Sequence, residues 1–111
     1  MGRAFDFTVY AHREQFIVRA YEPFDDAPFI AQRNKSDTEW LVTHRNTTMF
    51  VSHEKTRRAA LEKAAHLSIH CPDASRVKLK RDERGRPVAG HMTGPHRKVR
   101  DKVKALLAGA A

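Results

Sequence analysis

EWLVTHRNTTMFVSHEKTRRAALEKAAHLSIHC, residues 39–71, contains the change of period on which the fold turns. Its first half is rich in β-branched and aromatic residues, so Glu39-Trp40-Leu41-Val42-Thr43-His44 predicts a strand. Arg45-Asn46-Thr47-Thr48 is turn chemistry, and Met49-Phe50-Val51 predicts a strand returning beside the first. From Thr56 the apolar period becomes helical. Ala60, Ala64 and Leu67 fall at i, i+4, i+7, with Leu61, Ala65 and Ser68 beside them, as a core-facing helix requires. Thr56, or alternatively Ser52, can accept the exposed N–H groups of the first turn as N-cap. Pro72 ends the helix, and Cys71 before it is pushed out of the α region.

Outward toward the N-terminus, Phe5-Asp6-Phe7-Thr8-Val9-Tyr10 alternates with period two and Phe16-Ile17-Val18-Arg19-Ala20-Tyr21 is rich in β-formers, which predicts a hairpin. Glu22–Pro28 reads as a loop, and Phe29-Ile30-Ala31 as a short strand ended by the turn residues Asn34-Lys35-Ser36-Asp37. Toward the C-terminus, Arg76-Val77-Lys78-Leu79-Lys80 alternates strictly. Val77 and Leu79 would face the core, with Arg76, Lys78 and Lys80 as a cationic row opposite. Arg81–Arg86 turns the chain, and Pro87-Val88-Ala89 suits an edge strand, where proline is tolerated. Thr93-Gly94-Pro95 opens a last helix with an apolar stripe of Val99, Val103, Leu106 and Leu107. Arg97, Arg100 and Lys104 share one flank; Lys98 and Lys102 share another. The expected class is α+β: an antiparallel sheet of four to six strands, one packed central helix and a basic C-terminal helix.

A chain of 111 residues has the length of one domain, 1–111, able to build one modest core. No apolar run approaches a membrane span, and Met1–Asp6 has no signal-peptide h-region. The single cysteine, Cys71, excludes an internal disulfide and suits a reducing cytoplasm. Charge is divided unevenly. Residues 1–75 balance ten Lys and Arg against ten Asp and Glu, whereas residues 76–111 hold eleven against three, so the whole net charge of +8 sits in the basic last third. Such asymmetry points to an anionic partner, although a merely solubilising surface would look the same in sequence.

Trp40, Val42, Phe50, Thr56, Ala60, Leu61, Ala64, Leu67, Val77, Leu79 and Gly85 also carry a resemblance over residues 40–88. The stretch resembles small bacterial strand-strand-helix-strand domains of unknown function. It is similar, too, to the three-stranded DNA-binding domains of phage integrase arms and of plant APETALA-type proteins. The second resemblance implies a sheet-plus-helix fold whose sheet, rather than its helix, enters the major groove.

Several motifs suggest chemistry. Arg84-Gly85-Arg86-Pro87 equals the core of a minor-groove AT-hook. The ordinary use of Gly85 in a hairpin turn, with Asp82 and Glu83 preceding it, is the better reading. His66 and His70 lie at i, i+4 beside Cys71, and His91 or His96 could complete a tetrahedral set, but the two close ligand pairs of a zinc site are missing. No metal and no cofactor is expected. Cys71 at a helix C-terminus is in the wrong field for a thiolate, Asp25-Asp26 suits a turn, and no nucleotide-binding or hydrolase motif occurs, so no catalytic residue is assigned. Trp40, Phe50 and Tyr21 could stack on bases or simply pair across strands. The C-terminal helix lacks the Trp and Phe of a membrane-surface helix.

The leading expectation is non-enzymatic binding of nucleic acid, DNA or RNA, through Arg76, Lys78, Lys80, Arg81, Arg84, Arg86, Arg97, Lys98, Arg100 and Lys104. A second is a protein-interaction module, such as a phage- or plasmid-type inhibitor or adaptor, using Phe24 and Phe29 of the Pro23–Pro28 region and Trp40 as exposed anchors. A third is a toxin-type RNA-processing enzyme, which needs basic and His residues converging in one cleft.

Overall fold

The computed structural model describes residues 2–11 and 14–109. Five strands form one antiparallel meander in chain order: β1 (Arg3–Tyr10), β2 (Gln15–Glu22), β3 (Phe29–Arg33), β4 (Trp40–His44) and β5 (Phe50–Glu54). The helix α1 (Arg57–His70) follows, then a tight helical turn over Pro72–Arg76. The strands β6 (Lys78–Arg81) and β7 (Pro87–Thr93) pair only with each other, and α2 (His96–Leu107) comes last. The class is α+β, as the change of period at Thr56 predicts. The strand after α1 does not return to the large sheet. It makes a second, two-stranded one.

Both faces of the large sheet carry packed apolar residues, while Asp6, Ile17 and Arg19 on the outer side of the β1–β2 hairpin stay exposed. On one face Phe29, Ala31 and Val42 meet Ala60, Leu61, Ala64 and Leu67 of α1. The alanines let the helix axis approach the sheet, and the Ser68 hydroxyl accepts the Phe29 N–H at 3.1 Å. Thr56 is the N-cap: its hydroxyl accepts from Ala59 N at 3.1 Å, while Ser52 lies inside β5. At the other end Cys71 leaves the helical region, with φ −125° and ψ 63°, as the following proline demands. On the opposite face Phe7 and Val9 pack with Ala20 and Ile30, joined by Phe5, Phe16 and Val18. The long β1–β2 hairpin therefore bends over the meander. Its far end is tied to the β4–β5 turn, where Tyr10 N donates to the Thr48 hydroxyl at 3.1 Å.

One buried carboxylate anchors this bend. Glu22, 1 % exposed, meets Arg3 Nη2 and Arg45 Nη1, each at 2.7 Å. Burial opposes its ionisation, but the hydrogen bond and charge of Arg45, the charge of Arg3 and the backbone of Asp26 together hold the carboxyl below its ordinary value.

The apolar stripe of α2 docks as the sequence predicts: Val99 and Val103 are buried, and Leu106 and Leu107 are half-buried against the α1 core. Val77 and Leu79 are buried as well, while Arg76, Lys78 and Lys80 are exposed, so the expected phase of this stretch holds. Gly94 makes the entry to α2 feasible. Its φ is +84°, and a Cβ there would stand 2.4 Å from the backbone oxygen of Arg76. Among the described residues no helix is long and apolar enough to cross a membrane.

Candidate functional site

The cations of this chain fall into two populations. In the body, Arg3, Arg33, Lys35, Arg45, Arg58 and Lys63 each hold a carboxylate within 2.7–3.1 Å, Arg19 holds Asp6 at 3.6 Å, Arg57 lies over the Tyr21 ring, and among the described residues Lys55 is exposed and meets no carboxylate. From residue 76 onward such contacts are loose: Arg76 and Lys98 at 3.9 Å, Arg100 at 3.6 Å. Among the described residues, Lys78, Lys80, Arg81, Arg84, Arg86, Arg97 and Lys104 meet no carboxylate at all. All of them are exposed.

Local structure sets where these charges sit. The alternation of β6 points Lys78 and Lys80 away from buried Leu79. In the β6–β7 turn, Asp82 Oδ1 accepts from the backbone N–H groups of Arg84 and Arg86, each at 2.9 Å, and Gly85 takes φ +76°. Arg84-Gly85-Arg86 is thus a closed turn that projects two guanidinium groups, not an extended minor-groove strand. Arg81 bends back to donate to Gly85 O at 2.7 Å. Arg76 and Lys98, from different elements, converge on the two oxygens of Asp73, which brings the base of β6 to the first turn of α2. Lys78 and Arg81 line a shallow groove with Tyr10 and Asn46.

A second concavity lies between β5 and α2. It has a volume of about 280 Å³ and an apolar lining that includes Phe50, Val51, Met92, Val103 and Leu107. His96, Arg100 and Lys104 of α2 form its polar wall. Met49 and Phe50 at its mouth are 46 % and 55 % exposed. Neither the groove nor the role of Met49, Phe50 and His96 is readable from periodicity. It depends on β5 being an outer strand and on the separation at which α2 docks.

His44 lies at the base of this groove and is fully engaged. Its Nε2 stands 2.7 Å from the carbonyl oxygen of Ala74, which can only accept, so Nε2 carries the proton and Nδ1 accepts from the Thr47 hydroxyl at 2.7 Å. Burial, partly offset by the Ala74 hydrogen bond, pushes its pKa below the ordinary value.

The residues of the protein-partner expectation do not form a surface. Phe29 is 1 % exposed and belongs to the core; that assignment is corrected, because Phe29 opens β3 and faces α1 rather than sitting in the preceding loop. Phe24 is exposed in the loop, whereas Trp40 is half-buried against Tyr21, with Arg33 over its ring. His66 and His70 lie side by side and exposed on α1, with ring centroids 4.5 Å apart and the ring planes tilted by 57°, and among the described residues no three His, Cys, Asp or Glu side chains gather as metal ligands. Cys71 is buried, and burial raises its pKa, so it stays a thiol. Comparison of the chain with protein-family models, curated proteins and solved structures finds no match.

Proposed function

We propose that this protein binds nucleic acid through phosphate contacts made by Arg76, Lys78, Lys80, Arg81, Arg84, Arg86, Arg97, Lys98, Arg100 and Lys104. The observation that carries the reading is the contrast in ion pairing. Most body cations are spent on carboxylates, with Lys55 and Arg57 the described exceptions, whereas those of the β6–β7 hairpin and α2 are exposed and mostly unpaired. A cation already held by a carboxylate must break that contact to meet a phosphate; a free one only displaces water and counterions. The hairpin and helix are both ordered, so their cations lose less entropy on binding than those of a mobile tail. The lone, buried Cys71 fits a cytoplasmic setting.

Phosphate contacts orient a protein without reading sequence, so the expected binding is general. The test is fluorescence anisotropy with labelled duplexes and single strands across salt concentration. Neutralising about six to eight phosphates of a duplex gives a slope of log K against log salt near −5 to −7. Absence of binding at low salt overturns the proposal, and a slope near zero assigns the contact to another surface.

A further inference from the structure

We propose that the groove between β5 and α2 binds a single-chain amphiphilic anion, a medium-chain fatty carboxylate, with its tail on Phe50, Val51, Met92 and Val103 and its headgroup on Arg100 and Lys104. The inference rests on the shape and chemistry of the groove, not on the nucleic-acid reading.

The volume of about 280 Å³ is close to twice that of a dry apolar cavity able to take up benzene, which suits a flexible tail of about ten carbons. The floor offers such a tail no competing polar group. Phe29, Val77 and Val99 are apolar, and both ring nitrogens of His44 are already bonded within the protein. The rim sets the sign of the headgroup. Arg100 and Lys104 stand one helical turn apart on the α2 wall, where i, i+4 spacing puts them on one side. Lys104 meets no carboxylate among the described residues, and Arg100 has only Asp101 at 3.6 Å. A cationic rim above an apolar trough selects an anion with a hydrocarbon tail over a neutral or cationic one. The two exposed apolar side chains at the mouth, Met49 and Phe50, would be covered by the bound chain, which removes surface that is otherwise costly to leave in water.

An extended peptide is the poorer fit. β5 has five residues, and its pairing with β4 is interrupted between Val42 and Thr43, so it is a short and irregular template for strand addition.

The experiment is calorimetric titration of the whole chain with decanoate, below its micelle concentration, alongside decanol and decyltrimethylammonium, with amide chemical shifts recorded in parallel. The expected result is one decanoate per chain, with shifts concentrated on residues 49–51, 92 and 99–107. Shortening the tail by one methylene weakens binding about fourfold if the chain is buried. The double variant R100A/K104A, exposed positions that leave the core intact, weakens decanoate about tenfold and leaves decanol unchanged. L107W, which fills the trough from a half-buried position, abolishes uptake while the melting temperature is retained. Equal affinity for decyltrimethylammonium, shifts elsewhere on the molecule, or no uptake overturns the proposal. A dimer that closes this face in sedimentation equilibrium and is not dissociated by decanoate overturns it in favour of self-association.

Discussion

His44 is neutral in the folded protein for a structural reason, and this makes stability depend on pH near neutrality. Its folded pKa lies below the ordinary value of 6.5, so the unfolded chain binds a proton more readily than the native one. The stabilisation is complete above pH 6.5 and declines as pH falls through that value toward the folded pKa. Denaturant midpoints measured between pH 8 and pH 5 are expected to fall, and His44→Gln should flatten this dependence. At pH 8 the same variant should be about 2 kcal/mol less stable, because the buried Ala74 carbonyl and Thr47 hydroxyl lose their partner. Glu22 acts at lower pH with the same sign. Its carboxyl is held below 4.5, so its contribution is present above that pH and lost as the solution becomes more acidic. Histidine and glutamate are usually surface residues, and nothing in their sequence neighbourhood marks these two as buried. Phe29 fails in the other direction: it opens a strand, as its neighbours Ile30 and Ala31 suggest, but it faces α1 in the core instead of standing as an exposed anchor beside the loop.

At the scale of elements, β6 separates charge from core by alternation alone. Leu79→Ala is expected to cost ~2–5 kcal/mol, since Leu79 is 8 % exposed and pairs with half-buried Met92. The triple change of Lys78, Lys80 and Arg81 to alanine should shift stability by no more than about 0.5 kcal/mol, yet lower the salt slope of nucleic-acid binding by about 3. Thermal melts showing the two variants equally stable would contradict the observed phase of β6. The helix α2 supports a second expectation. Val99 and Val103 are buried and Leu106 and Leu107 half-buried, and burial of four such side chains, at about 1.5–3 kcal/mol each when complete, outweighs fraying toward the glycine-containing end. Hydrogen exchange should show protected amides through residues 99–107 in the free protein. Random-coil rates there would mean that α2 does not hold its cations in place.

For the whole molecule, the distribution of charge matters more than its sum. The chain measures 38 × 30 × 23 Å, several times the screening length of about 10 Å at 0.1 M salt, so charge in the body contributes little at the hairpin. Two variants with the same net charge separate these effects. K80E/R84E alters the unpaired cations of the hairpin, whereas K35E/R58E alters cations already held by Glu14 and Glu62. The first should weaken nucleic-acid binding by at least about tenfold, the second by less than about threefold. Equal losses in anisotropy titrations would show that net charge alone drives association.

Local rules carried much of this structure. Period-two alternation located β1 and β6, β-branched and aromatic residues located β2 and β4, the helical stripe located α1 and α2, and Thr56, Pro72 and Gly85 marked a cap, a stop and a turn, because each depends on neighbours within a few residues. The concentration of positive charge after residue 75 was likewise a matter of composition. The tertiary fold alone decided the rest. Which strand became an outer edge, how far the β1–β2 hairpin bent over the sheet, that β6 paired with β7 instead of joining the meander, and which cations found a carboxylate all depend on contacts between residues distant in the chain. The groove between β5 and α2 is the clearest case. Its apolar floor and cationic rim come from five separate segments, and no periodicity within one segment encodes the gap left when they pack together.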